Sequence, residues 1–229
     1  MKSAEAFLSS LKQRRLSYLS NSALVGESAS ETVEIPSELL IAATLGLCVF
    51  PVIGYSMHAA TKAGIETATS DLALIEYWIR QHYGDPLNWY VATGPGPLAG
   101  EGVVALEVVG DVGRASLCEL CQDDWDWIDT LRSQAGNDAR YLFFQWPDNM
   151  AMSPSAKQLA PGLILHGEGD SVPIPPSQTS SGISRAYLTP RAALAYPPEW
   201  LIEAAFQAVE AIAGSRSDSI GNWSNSSAA

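Results

Sequence analysis

The chain has 229 residues, 47% of them hydrophobic and 17% charged, long enough to bury one large core or two small lobes. Thirteen lysines and arginines face 25 aspartates and glutamates; the net charge of −12 repels nucleic-acid phosphates unless the few cations are gathered. No apolar run reaches the ~20 residues of a membrane span, no apolar stretch opens the chain as a secretory signal would, and three cysteines make no disulfide framework. The expectation is a soluble cytoplasmic protein that engages no membrane.

In chain order, residues 3–19 read as a short helix, with Phe7, Leu8, Leu11, Leu16 and Leu19 in an imperfect stripe opposite a basic group. That group is Lys2, Lys12, Arg14 and Arg15. Ser20 to Thr32 is polar and reads as a linker, so 1–33 is set apart from the domain proper at 34–213. Pro36 suits the first turn of a helix running to about Leu45, and residues 47–52 suit a strand. Ser70 is the expected N-cap of a helix from Asp71 to Tyr83, which Gly84 can terminate.

Asn88 to Ala92 reads as a short strand. Thr93 to Gly102, with four glycines and two prolines, reads as a loop that lacks the spacing of a phosphate-binding loop. Val103 to Val109 is nearly continuous in apolar residues, the pattern of a strand covered on both faces. Gly113 to Arg132 is predicted as a helix with Leu117, Cys121, Ile128 and Leu131 on one face. Further strands are expected at Arg140 to Trp146, Leu163 to His166, Val172 to Ile174 and Arg185 to Leu188. A closing helix is expected at Pro198 to Ala213, and residues 214–229, rich in Ser, Asn and Gly, read as a disordered tail.

Several of these segments carry a shared signature. Val103–Gly110 is a strand ending at a turn, Arg140–Gln145 is a second strand, and Pro175-Pro176-Ser177 followed by Gly182 and Tyr187 is a loop entering a third. Around them lie Gly46 to Pro51, Ala68 to Asp71 with Ile75 and Trp78, Ala92-Thr93-Gly94 and Pro198 to Leu201. In this order the chain, from about Ser37 to Phe206, resembles the bifunctional DNA primase/polymerase (prim-pol) domain of the archaeo-eukaryotic primase superfamily. The resemblance implies an α+β fold of mixed β-sheets with flanking helices. It also implies an Asp-x-Asp pair at the end of the first strand, a His after an Arg on the second, and a further Asp before the Pro-Pro-Ser loop. Here those positions read Glu107-Val108-Val109, Tyr141 and, on or near it, Ile164, so the scaffold is expected to be kept and the active site dismantled.

The chemistry explains why these replacements matter. Nucleotidyl transfer uses two divalent cations held by carboxylates, and residues at i and i+2 on a strand share a face. With Val109 in the second place, Glu107 alone cannot anchor two metals; it is either a vestigial ligand or a strand-end carboxylate paired with an arginine such as Arg140. Tyr141 cannot become a cation, and a strand tyrosine is also ordinary packing. Arg140, Tyr141, Ser177 and His166 are the candidates for contacting a nucleotide or phosphate.

One segment argues for activity. In His166-Gly167-Glu168-Gly169-Asp170 an extended backbone would put three ligands on one face, and Glu107 with Glu168 and Asp170 could then hold Mg or Mn. The two glycines favour a turn instead. Cys118-x-x-Cys121 lacks two further zinc ligands and falls inside a predicted helix, which favours small core residues. Glu101 to Thr130 holds eight acidic residues and only Arg114, and Trp125 and Trp127 lie among them, a poor setting for stacking on single strands.

The expectation is a degenerate prim-pol domain, not an enzyme, with no cofactor, that binds nucleotide, nucleic acid or protein in a setting of replication or mobile elements. Nucleotide or single-stranded DNA would bind weakly, and a replication protein or helicase would be a separate chain. The alternatives are an active primase/polymerase using Glu107 with Glu168 or Asp170, and a protein-interaction subunit with no nucleotide role.

Overall fold

The computed structural model describes residues 33–55, 59–96, 102–122, 128–136, 138–147 and 157–209. The expected N-terminal helix, the Ser20–Thr32 linker, Trp125 and Trp127 and the 214–229 tail lie outside the described residues.

Helix α1 (Ser37–Thr44) starts behind Pro36, whose carbonyl accepts from the Leu39 and Leu40 amides, and it buries Leu39, Ala42 and Ala43. Strand β1 (Val49–Ile53) follows, then a single 3₁₀ turn at Gly64–Thr67. Helix α2 (Leu72–Gln81) is capped by Asp71, whose carboxylate accepts from the Ala73 amide, so the cap falls one residue after Ser70. Ile75 and Trp78 are its buried face.

Strand β2 (Leu87–Pro95) is longer than its sequence pattern indicates, because Gly94 and Pro95 pair with Val103 and Gly102 of β3 (Gly102–Val109). Part of the expected loop is therefore the paired ends of a hairpin. Helix α3 (Gly110–Cys121) ends at Gln122 in the left-handed conformation, well short of Arg132. Leu131, expected on that helix, instead opens β4 (Leu131–Gly136). Cys118 is exposed, against expectation, while Cys121 is half-buried and packs against the second core.

The remaining strands are β5 (Ala139–Gln145), β6 (Lys157–Ala160), β7 (Leu163–His166) and β8 (Asp170–Ile174), and residues 199–209 form helix α4. Residues 185–188 do not form a regular strand. They lie along β4 through a Ser133–Tyr187 bridge and the bonds Gln134 N–H to Ala186 O and Leu188 N–H to Arg132 O, both 2.8 Å, covering what would be an open edge.

The architecture is α+β. Strands β1-β2-β8 form one set and β4-β5-β3-β7-β6 the other, joined where the end of β2 meets the start of β3. The strand pairs are antiparallel, and among the described residues one parallel bridge joins Phe144 to Ala195. Strand β3 lies at the centre. Val103 and Ala105 face a core shared with β1, β2, β8, α1 and α2, while Val104, Leu106 and Val108 face a second core with Leu117 of α3 and Leu201 and Ala205 of α4. Both faces are covered, which is why β3 reads as a nearly continuous apolar run, broken by Glu107. No described helix is long and apolar enough to cross a membrane.

One close approach fixes α3 on this sheet. Gly162 sits at φ +70°, and a Cβ there would lie 2.6 Å from the Gly113 amide nitrogen and 2.8 Å from its Cα. Gly162→Ala should therefore lower stability by about 2–4 kcal/mol, from left-handed strain and overpacking together. Urea denaturation of the two proteins measures it.

Candidate functional site

Three strands bring the singled-out positions onto one rung. Glu107 of β3 pairs with Tyr141 of β5 on one side and with Ile164 of β7 on the other. Directly opposed residues share a face, so all three side chains project into the side of the sheet that holds the first core. The rung continues to Ser133 of β4, a buried residue whose hydroxyl has no hydrogen-bond partner among the described residues. The strand carrying Val172 is not a neighbour of β3: β8 pairs with β2 and reaches the site through the β7–β8 turn.

Glu107 is hydrogen-bonded on both oxygens. The Tyr141 hydroxyl donates to Oε1 at 3.3 Å, and His166 Nε2 lies 2.9 Å from Oε2. The other ring nitrogen of His166, Nδ1, lies 2.6 Å from Asp170 Oδ2. An ionised carboxylate only accepts, so a ring bonded to two carboxylates must carry a proton on each nitrogen. Two carboxylates on one ring favour the imidazolium form of His166. Burial pulls its pKa down, but the hydrogen bonds and charges of Asp170 and Glu107 outweigh this and lift it to about 9. Burial pushes the Asp170 carboxyl up, yet the hydrogen bonds from His166 and from the Ser171 amide hold it below the usual carboxylate range. Burial drives the Tyr141 phenol far up, the charge of Glu107 adds to the rise, and Arg185 opposes it.

The hairpin between β7 and β8 makes this arrangement. Gly167-Glu168-Gly169 is a turn, not an extended segment, with Gly169 at φ +77°. The Thr93 hydroxyl donates to the Gly167 carbonyl at 2.6 Å, and the Gly169 amide donates to Thr93 O at 3.2 Å, which ties the turn to β2. His166 and Asp170 flank the turn and so meet, while Glu168 is exposed at its tip.

Two other predicted residues are placed elsewhere. Arg140 pairs with Val108, and alternation along the strand sends its side chain to the face opposite Glu107 and Tyr141. Ser177 is buried; its hydroxyl accepts from the Trp89 amide at 2.6 Å and donates to Trp89 O at 2.9 Å, so it anchors the Pro175-Pro176 loop to β2. Sequence reading missed the His166–Asp170 pair as a pair, the role of Thr93, and Arg185 as the guanidinium whose field reaches Tyr141. A hairpin reading of His-Gly-Glu-Gly-Asp, with its ends facing one another, was the available signal for the first.

The order of strands, the rung and the Pro-Pro-Ser loop agree with one further finding. The family model described as bifunctional DNA primase/polymerase, N-terminal (Prim-Pol), matches residues 39–200. The chain belongs to the Prim-Pol family. No curated protein matches it.

In this Prim-Pol domain the positions that the resemblance assigns to metal-binding carboxylates are Glu107, Val109 and Ile164. Two divalent cations need several anionic oxygens. Val109 and Ile164 supply none, which leaves Glu107 as the single carboxylate at these positions. The residues present do not fit a two-metal centre.

Proposed function

We propose that this Prim-Pol domain has lost nucleotidyl transfer and acts in the cytoplasm as a binding module, for nucleotide, nucleic acid or protein, in replication or in mobile elements. The observation that carries this reading is the rung itself: Ile164, Glu107 and Tyr141 stand side by side where the resemblance puts an acid, an acid and a histidine. An active enzyme would need Glu168 or Asp170 to join Glu107 on a metal. Glu168 is at the turn tip, and Asp170 is hydrogen-bonded to His166. Absence of primer extension by the purified chain is the test, developed in the Discussion.

Binding to single-stranded DNA should be weak and strongly salt-dependent. The net charge is −12, and four of the 13 cations, Lys2, Lys12, Arg14 and Arg15, stand in the first fifteen residues. Of the others, Arg114 is bonded to Asp111 and Asp138, and Arg80 to Glu76. Deleting residues 1–19 should remove most of the binding measured by fluorescence anisotropy. Tight binding at physiological salt that survives the deletion would place a basic surface elsewhere.

A further inference from the structure

We infer that the imidazolium of His166 is the resident cation of this site, standing between Asp170 and Glu107, the one carboxylate left at the positions the resemblance assigns to metal ligands. The geometry accounts for each carboxylate oxygen in turn. Glu107 Oε1 takes the Tyr141 hydroxyl and Oε2 takes His166. Asp170 Oδ2 takes the other nitrogen of His166, and Oδ1 takes the Ser171 amide at 2.7 Å. The side chains of Glu107, His166 and Asp170 are 19%, 12% and 26% exposed, so water screens the three only in part. The ring also meets Tyr141 edge-on, with centroids 6.0 Å apart. The ring fills the space between the two carboxylates, and a metal ion bridging them would have to displace it.

The same cation is a clasp. Glu107 is on β3, His166 on β7 and Asp170 on β8, and β8 belongs to the other strand set with β1 and β2. Without the ring, two like charges would face one another across the space of one imidazole, which disfavours both. A divalent cation carrying some of its water, or an added imidazolium, has the charge and the oxygen preference to fill that space. The seat thus remains a cation site, occupied from within the chain.

The test is thermal unfolding of the full chain and its variants, with manganese binding followed by electron paramagnetic resonance. The unmodified chain should bind no manganese, and its Tm should not move in millimolar manganese. His166→Ala should lose roughly 4–10 °C in Tm. It should recover at least half of that loss in millimolar manganese or imidazole, and Glu107→Gln added to it should abolish the manganese response. Should His166→Ala fail to fold, His166→Lys, which keeps a cation in place, should fold, refuse manganese and unfold above His166→Met. Manganese bound stoichiometrically with His166 intact would overturn the inference. So would a His166→Ala chain with unaltered Tm and no response to either cation, or a His166→Lys chain no more stable than His166→Met. Primer extension by the unmodified chain would end the loss of nucleotidyl transfer without touching these results, so the two claims fail separately.

Discussion

The purified chain should incorporate no nucleotide on a primed template, with magnesium or with manganese. Polymerisation needs the triphosphate and the leaving pyrophosphate neutralised as the new bond forms, and the family's acidic seats supply the oxygens that hold the neutralising ions. By the resemblance these seats fall at Glu107, at Val109 and on or near Ile164, and Tyr141 and Ile164 flank Glu107 on the rung. Losing one such stabiliser typically costs about 10²–10³ in rate, and this site lacks more than one. Val109→Asp with Tyr141→His should restore metal binding before it restores any incorporation, because Ile164 still withholds a third carboxylate and His166 still competes for Glu107. Extension by the unmodified chain that is abolished by Glu107→Gln would mean that the site is alive.

Stability should fall as the pH rises from about 6.5 toward 9. His166 has a folded pKa lifted from 6.5 to about 9, so its contribution is complete below its unfolded value and is lost as the pH passes through the folded one. That shift corresponds to roughly 3 kcal/mol, or about 6–12 °C in Tm for a chain of this size. Asp170 has the opposite sign. Its carboxyl is held down, so its contribution is present above its ordinary value of 3.8 and is lost as the pH falls through the lowered one. The two shifts describe one set of hydrogen bonds and are not added. Tyr141, pushed up by burial and by Glu107, stays neutral through the alkaline window. Calorimetric scans at pH 6 and pH 9 measure the difference, and His166→Gln should flatten it. A slope that persists in that variant would place the titrating group elsewhere.

The parts of this fold that could be read from sequence are those where local pattern and tertiary packing agree. Strand β3 is legible because both its faces are buried, and β7 is bounded correctly by Gly162 and Gly167. The sequence extends helix α3 too far for a physical reason: Leu117, Cys121, Ile128 and Leu131 keep a helical spacing across Gln122, where the backbone turns left-handed. Strand β2 was cut short because Gly94 and Pro95 look like loop residues, yet they pair with Val103 and Gly102.

The site divides in the same way. That Glu107, Tyr141 and Ile164 belong together follows from the order of the motifs, since a sheet of this topology aligns them on one rung. Arg140 is adjacent to Tyr141 in sequence, and for that very reason it lies on the other face of β5. The His166 clasp depends on the register of a hairpin and on Thr93 from β2 holding its turn, neither of which any local pattern records. Ser177 looked like a ligand-contacting serine because of its loop, but its hydroxyl closes a pair of bonds to Trp89 that only the tertiary fold creates.

The most direct test of the central claim is manganese binding by the unmodified chain with primed template and a deoxynucleoside triphosphate present, the condition most favourable to an assembled two-metal centre. Electron paramagnetic resonance distinguishes free or nucleotide-bound manganese from ions held by the protein. The spectrum should be identical to that of template and triphosphate without protein, and unchanged by Glu107→Gln. A stoichiometric protein-bound signal that disappears in Glu107→Gln would contradict it.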